Sequence, residues 1–193
     1  MTDTAQPSAP PAASPPAERP FIPVRIAVLT VSDTRTLETD KSGQTLADRI
    51  AEAGHLLSAR AIVKDDVGQI RRTTRNWLKR DDVDVIVSTG GTGLTGRDVT
   101  IEAMRGLFEK EAEGFGVAFH MISWGKIGTS TVQSRATAGV ARGKYIFCLP
   151  GSPGACRDAW DGLLKPQLDY RHMPCNFVEI MPRLDEHLQR KKG

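Results

Sequence analysis

The residues best suited to chemistry in this chain lie between Ser88 and Asp98, which read Ser-Thr-Gly-Gly-Thr-Gly-Leu-Thr-Gly-Arg-Asp. They follow a short apolar run (Val83, Val85, Ile86, Val87) and precede a helical pattern that begins near Val99. A buried strand feeding a glycine-rich turn at the start of a helix presents bare backbone N–H groups, and these suit an anion. Two nucleotide motifs overlap the loop, and neither fits. Gly91 to Gly96 matches G-x-G-x-x-G, but that fingerprint belongs after the first strand of its unit, with an acid closing the second strand. Here it follows the third strand, and Glu111 and Glu113 fall in or beside a helix. The same stretch has P-loop spacing, yet Arg97-Asp98 replaces the Lys and hydroxyl residue of that motif. A carboxylate at Asp98 repels phosphates unless a cation lies between, which points to metal-assisted phosphoryl chemistry. Its plainer role is to cap the helix starting near Val99.

A second loop, Pro150-Gly-Ser-Pro-Gly154, joins a strand to a helix in the same way; alone it is a tight turn. Two such loops at the strand ends of one sheet would face one crevice. Asp65 and Asp66 close another apolar run and read as a turn or a helix cap. Arg135, in a polar stretch, could fork onto a phosphate or a carboxylate. His55, His120, His172 and His187 lack ligand spacing, and Trp77, Trp124 and Trp160 fall at helical positions as core or subunit contacts. Cys148, Cys156 and Cys175 form an odd set without a C-x-x-C pair. That fits reduced thiols in a cytosolic protein better than a disulfide framework or a zinc site.

The elements that must position these loops alternate. Val24 to Val31 reads as a strand, followed by a turn at Ser32-Asp33 and a helix from about Ser42 that Gly54 stops. Leu56 to Val63 is a second strand and Val67 to Arg80 a helix. Val83 to Ser88 is the third strand, and the next helix carries Ile101, Met104, Leu107 and Phe108 at helical spacing. Phe115 to Trp124 reads as a helix apolar nearly all round, hence well buried, and Thr129 to Gly139 as a further, polar helix. Lys144 to Leu149 is a fourth strong strand, followed by a helix with Ala155, Trp160, Leu163 and Leu164. The rhythm predicts a doubly wound α/β fold, a mostly parallel sheet with helices on both faces and ligands beyond the carboxyl ends of its strands.

Residues 1–20 hold six prolines among Ala and Ser with no hydrophobic period, and read as a disordered tail without the basic start or apolar segment of a signal peptide. Residues 21–180 form the domain and 181–193 a polar, basic tail. No run of about eighteen apolar residues exists to span a membrane. The net charge of +3 is small, and acids and bases alternate without the basic stripe and interleaved aromatics of a nucleic-acid binder.

Thr89-Gly-Gly-Thr-Gly93 with Arg97-Asp-Val-Thr100 and Glu102-Ala103 resembles the signature loop of the MoaB/MogA molybdopterin-binding family. Four more stretches resemble its B branch: Ile26 to Asp33, Gly114-Phe-Gly116, Gly128 to Thr131 with Gln133 to Ala136, and Pro150 to Ser152 with Ala155 to Arg157. The resemblance covers about Ile22 to Phe177. It implies a doubly wound domain assembling as a trimer or hexamer, a role in molybdenum cofactor biosynthesis and binding of molybdopterin, a pterin dithiolene with a terminal phosphate. It further implies AMP transfer from Mg·ATP to that phosphate (an adenylyltransferase), and hand-over to a molybdenum-insertion enzyme.

Two family aspartates carrying that activity correspond to Asp65 and Asp98, either or both of which could hold Mg²⁺. Gly90, Gly91, Thr92, Gly93 and Thr95 would serve one phosphate, and Pro150, Gly151 and Ser152 the pterin phosphate. Ser32, Asp33, Ser134 and Arg135 would contact the pterin or orient the loops. Ile101 stands where the family often has Pro, and Gly154 where its second loop often has Lys. Some members of the branch bind molybdopterin without adenylylating it, which keeps a non-catalytic binding and hand-over protein as the alternative. A nucleotide-binding oxidoreductase rests on the misplaced G-x-G-x-x-G alone.

Overall fold

A computed structural model describes residues 19–189. The expected Pro-rich tail up to residue 18, and the basic end at Arg190, Lys191 and Lys192, lie outside the described residues. Six strands form one sheet: β1 (Arg25–Val31), β2 (Leu56–Val63), β3 (Val85–Thr89), β4 (Lys110–Glu111), β5 (Thr137–Ala141) and β6 (Lys144–Leu149). Their order is β2-β1-β3-β6-β5-β4. The first four in that order run parallel, while β5 pairs antiparallel with both β6 and β4.

The central strands read as continuous apolar runs because helices cover both their faces. On one face Ile26, Val28, Val85, Val87 and Phe147 pack with Leu46, Ile50 and Trp160. The alternate residues Ala27, Leu29, Ile86 and Ile146 meet Ile70, Trp77, Ile101 and Met104 on the other. The helices concerned are α1 (Lys41–Glu52), α2 (Val67–Leu78), α3 (Thr100–Arg105), α4 (Glu113–Ile127) and α5 (Pro153–Ala159). A π turn over Trp160–Leu164 extends α5 into α6 (Lys165–Gln167), and short helical turns, α7 (Phe177–Ile180) and α8 (Glu186–Gln189), follow.

Local chemistry sets the starts. The carboxylates of Asp40 and Asp66 accept from the Gly43 and Gln69 amides at 2.9 and 2.7 Å and cap α1 and α2. Ser152 caps α5 through the Ala155 amide. Because α1 and α2 lie on opposite faces, the chain reverses its winding between β1 and β3. The carboxyl ends of those strands open a crevice there.

Two expectations change. Thr129 to Gly139 is not a helix. A 3₁₀ turn (Gly128–Gln133) leads into β5, and a hairpin at Arg142-Gly143, with φ of 51° and 74°, turns the chain into β6. β-branched Thr137 and Val140 suit the sheet, and Gly139 leaves room for the Phe108 ring against the strand. The second change concerns α4, which buries Phe115, Phe119 and Ser123 but leaves Val117, Met121, Trp124 and Ile127 exposed. One side of the helix fills the core and the other is exposed, with no partner among the described residues. Trp124 is therefore no core residue, unlike Trp77 and Trp160.

Candidate functional site

Gly90 and Gly91 leave β3 with φ of 94° and 60°, a backbone open to glycine at little strain. A Cβ on Gly90 would run into the Val31 carbonyl oxygen, and one on Gly91 into the Asp65 carboxylate and the Thr100 hydroxyl. The turn thus brings the ends of β1, β2 and β3 against one another. The Thr100 hydroxyl donates to the Gly90 carbonyl at 2.9 Å, and the Thr100 amide to the Gly91 carbonyl at 2.9 Å.

This packing leaves a cleft of about 220 Å³ at the switch point, bounded by Ser32, Asp65, Gly90, Gly91, Asp98 and Gly151. Thr30, Thr89, Arg35 and Arg97 also face it. Its two expected carboxylates differ in setting. Asp98 accepts from the Thr95 hydroxyl at 2.6 Å and the Thr95 amide at 2.9 Å. The hydroxyl first, then the Thr95 and Gly93 amides, hold its carboxyl below the usual carboxylate range. Asp98 does not cap α3, whose first turn has no side-chain cap. It staples the glycine loop back on itself. Asp65 has the opposite bias: partial burial, then the charges of Asp33 and Asp98, push its carboxyl up, and Arg97 offsets part of this. The cap of α2 is Asp66, which leaves Asp65 free to face the cleft.

The remaining expected residues divide. Asp33 ion-pairs with Arg97 and accepts from the Asp65 amide at 3.3 Å, so it orders the cleft wall. The Ser32 hydroxyl accepts from the Thr34 and Arg35 amides and tightens the turn after β1. Thr92 is buried, and Thr95 serves Asp98. Arg135 does not reach the cleft. Its guanidinium donates to the Thr92 and Gly93 carbonyls, both at 2.8 Å, and pairs with Glu102, fastening the loop from behind. Ser134, Pro150 and Ser152 line a separate hollow of about 170 Å³ with Phe119, Ser123 and Ile127. The two glycine loops nonetheless touch. The Thr89 hydroxyl donates to the Pro150 carbonyl at 2.9 Å, and the Gly90 amide to the Leu149 carbonyl at 3.1 Å. Beneath them the Cys156 thiol, 3.1 Å from the Thr89 hydroxyl, is pushed up to about 11 by burial.

Sequence reasoning missed Arg35, Thr30 and Thr89. A long cation four residues beyond the end of a strand was the available signal for Arg35. No group of three or more His, Cys, Asp or Glu side chains able to hold a metal occurs among the described residues. The donor set is instead two carboxylates, Asp65 and Asp98, in a cleft that also holds the Arg35 and Arg97 guanidiniums. That suits a hard cation such as Mg²⁺, which keeps waters and takes phosphate oxygens beside one or two carboxylates.

Comparison with known proteins gives this geometry a setting. A family model described as "Probable molybdopterin binding domain" matches residues 27–170. Molybdenum cofactor biosynthesis protein B of Escherichia coli (strain K12) is 54% identical over 157 residues, covering 81% of this chain and 92% of that protein. The Bacillus anthracis protein of the same name is 49% identical over 148 residues, covering 76% and 88%. A crystal structure of molybdenum cofactor biosynthesis protein B superposes with a TM-score of 0.79 at 43% identity, over 87% of this chain and 99% of that one. On these matches, which span the sheet and both glycine loops, the chain belongs to the molybdopterin-binding domain family of molybdenum cofactor biosynthesis.

Proposed function

We propose that this chain works in molybdenum cofactor biosynthesis, where it binds molybdopterin and transfers AMP from ATP to the terminal phosphate of the pterin. The observation that carries the reading is the convergence of Asp65 and Asp98 on the Gly90–Gly91 turn, beside the second glycine loop at Gly151. In such a transfer a phosphate oxygen of the pterin attacks the α-phosphorus of ATP. The bond from that phosphorus to the bridging oxygen breaks, and pyrophosphate leaves with the charge. Catalysis is then mostly positioning and charge compensation. The amides of Gly90 to Gly93 would orient one phosphate and Gly151 with Ser152 the pterin phosphate, with Ser134 in the adjoining hollow toward the pterin. Mg²⁺ held by Asp65, Asp98 or both would neutralise charge on the transferred and leaving phosphates. The three free cysteines fit work in the cytosol, and the exposed face of α4 fits a trimer or hexamer. Hand-over of the product would be to a molybdenum-insertion enzyme.

A second reading is a protein that binds and hands on molybdopterin without adenylylating it. The bonds from the Thr95 hydroxyl and amide favour it, since they occupy the Asp98 carboxylate within its own loop. The test is to incubate the protein with molybdopterin, ATP and Mg²⁺ and to measure adenylylated pterin and pyrophosphate. Transfer by the parent chain, reduced at least about 100-fold in Asp65→Ala and Asp98→Ala, is the expected result. Pterin binding with no transfer at any Mg²⁺ concentration would establish the second reading instead.

A further inference from the structure

Arg35 follows the turn after β1, and its side chain faces both the cleft and a shallower hollow along β2. Its guanidinium is held in place mainly by uncharged acceptors. One terminal nitrogen donates to the Ser42 hydroxyl at 2.8 Å and the other to the Gly151 carbonyl at 3.3 Å, both uncharged acceptors. Its ion pair with Asp40 is long, 3.8 Å. Asp40 is fully occupied elsewhere: it accepts from the Thr30 hydroxyl at 2.7 Å, the Gly43 amide at 2.9 Å and Arg60 at 3.0 Å. Arg97, the other cation on the cleft, differs on both counts. Its side chain is 77% exposed against 33% for Arg35, and Asp33 balances its charge. Arg35 therefore brings an anchored positive charge to a cleft whose other lining is two carboxylates, hydroxyls, glycine backbone and the Asp33-paired Arg97. A guanidinium has five N–H donors in a planar fork that matches paired phosphate oxygens, and the two bonds above leave donors over.

We propose that Arg35 is the cation that receives the phosphate chain of the nucleotide and holds pyrophosphate as it departs. This assignment rests on the adenylyl-transfer reading for its reaction, though not for the binding it describes. Anchoring by Ser42 and Gly151 ties the residue to α1 and to the second glycine loop, so its fork is in place before any ligand arrives.

The probe is inorganic pyrophosphate with Mg²⁺, titrated calorimetrically into the full chain and into Arg35→Ala, Arg35→Gln and Arg35→Lys. Arg75→Ala serves as the control because it removes the same charge from the exposed side of α2. Pyrophosphate affinity falls about ten- to hundredfold in Arg35→Ala and Arg35→Gln, less in Arg35→Lys, and by under twofold in Arg75→Ala. If Arg35→Ala melts, Arg35→Gln and Arg35→Lys, each of which retains a donor for Ser42, decide the matter. Affinity within twofold of the parent in Arg35→Gln overturns the proposal, as does an equal loss in Arg75→Ala or no pyrophosphate binding by the parent. AMP transfer assayed alongside separates the two claims. Arg35-dependent binding in a parent that transfers no AMP removes the enzyme and keeps Arg35, whereas normal pyrophosphate binding in Arg35→Gln with active transfer does the reverse.

Discussion

Asp65 and Asp98 share a cleft yet stand on opposite sides of the stability balance. The folded chain raises the carboxyl of Asp65, so it holds that proton more tightly than the unfolded chain does. Its contribution to stability is present below the ordinary carboxylate range and is lost as pH rises through its folded pKa. Asp98, whose carboxyl is lowered, contributes stability above that range and loses it as pH falls through its folded pKa. Asp65→Asn is therefore expected to raise the melting temperature of the ligand-free protein at pH 8 by about 1–3 °C, with a smaller gain at pH 5. The same change is expected to abolish the proposed AMP transfer, and Asp98→Asn to lower the melting temperature. Melting curves at the two pH values check this, and a lower melting temperature for Asp65→Asn at pH 8 would show that Asp65 is not held against its own charge. Asp65 was legible in the sequence because it closes an apolar run at a strand end, and Asp98 because it ends a glycine-rich loop just before a helical pattern. The inward bond from Asp98 to Thr95 was not, since capping and stapling ask for the same residue type three positions apart.

At the scale of elements, the glycines of the signature loop are not equivalent. Gly90 has positive φ and sits against the Val31 carbonyl, whereas Gly96 has open space around it. Gly90→Ala should cost about 2 kcal/mol or more and Gly96→Ala less than about 0.5 kcal/mol, as read from urea unfolding. An equal loss at the two positions would mean that the turn does not depend on close approach to β1. The contrast also explains why the G-x-G-x-x-G match carried no information, since its last glycine has no packing duty here. The parallel strands and α1 and α2 were plain from apolar runs and helical periods. The β5 strand was not, because Thr137 to Ala141 is short and built mostly of small residues, and it becomes a strand where Phe108 and β6 receive it. Tertiary context decides such a segment, not local preference.

At the scale of the whole molecule, the apolar side of α4 stands out. Val117, Met121 and Trp124 recur at helical spacing on the surface, with Val132 from the following turn beside them. The sequence pattern said that α4 is apolar all round, and could not say whether the chain itself or another copy covers it. A contiguous apolar surface marks an association site. The parent is expected to sediment as a trimer or hexamer, and Met121→Glu with Trp124→Glu as a folded monomer; a monomeric parent would refute this. Among the described residues no helix is long and apolar enough to cross a membrane. The two glycine loops carry a different consequence. They are joined by the Thr89–Pro150 and Gly90–Leu149 hydrogen bonds, and a Cβ on Gly151 would lie 3.1 Å from the Gly90 Cα. A displacement of one loop is therefore passed directly to the other through these contacts. If nucleotide and pterin bind one to each loop as proposed, any effect of the first on the second's affinity must be matched by an equal effect in return.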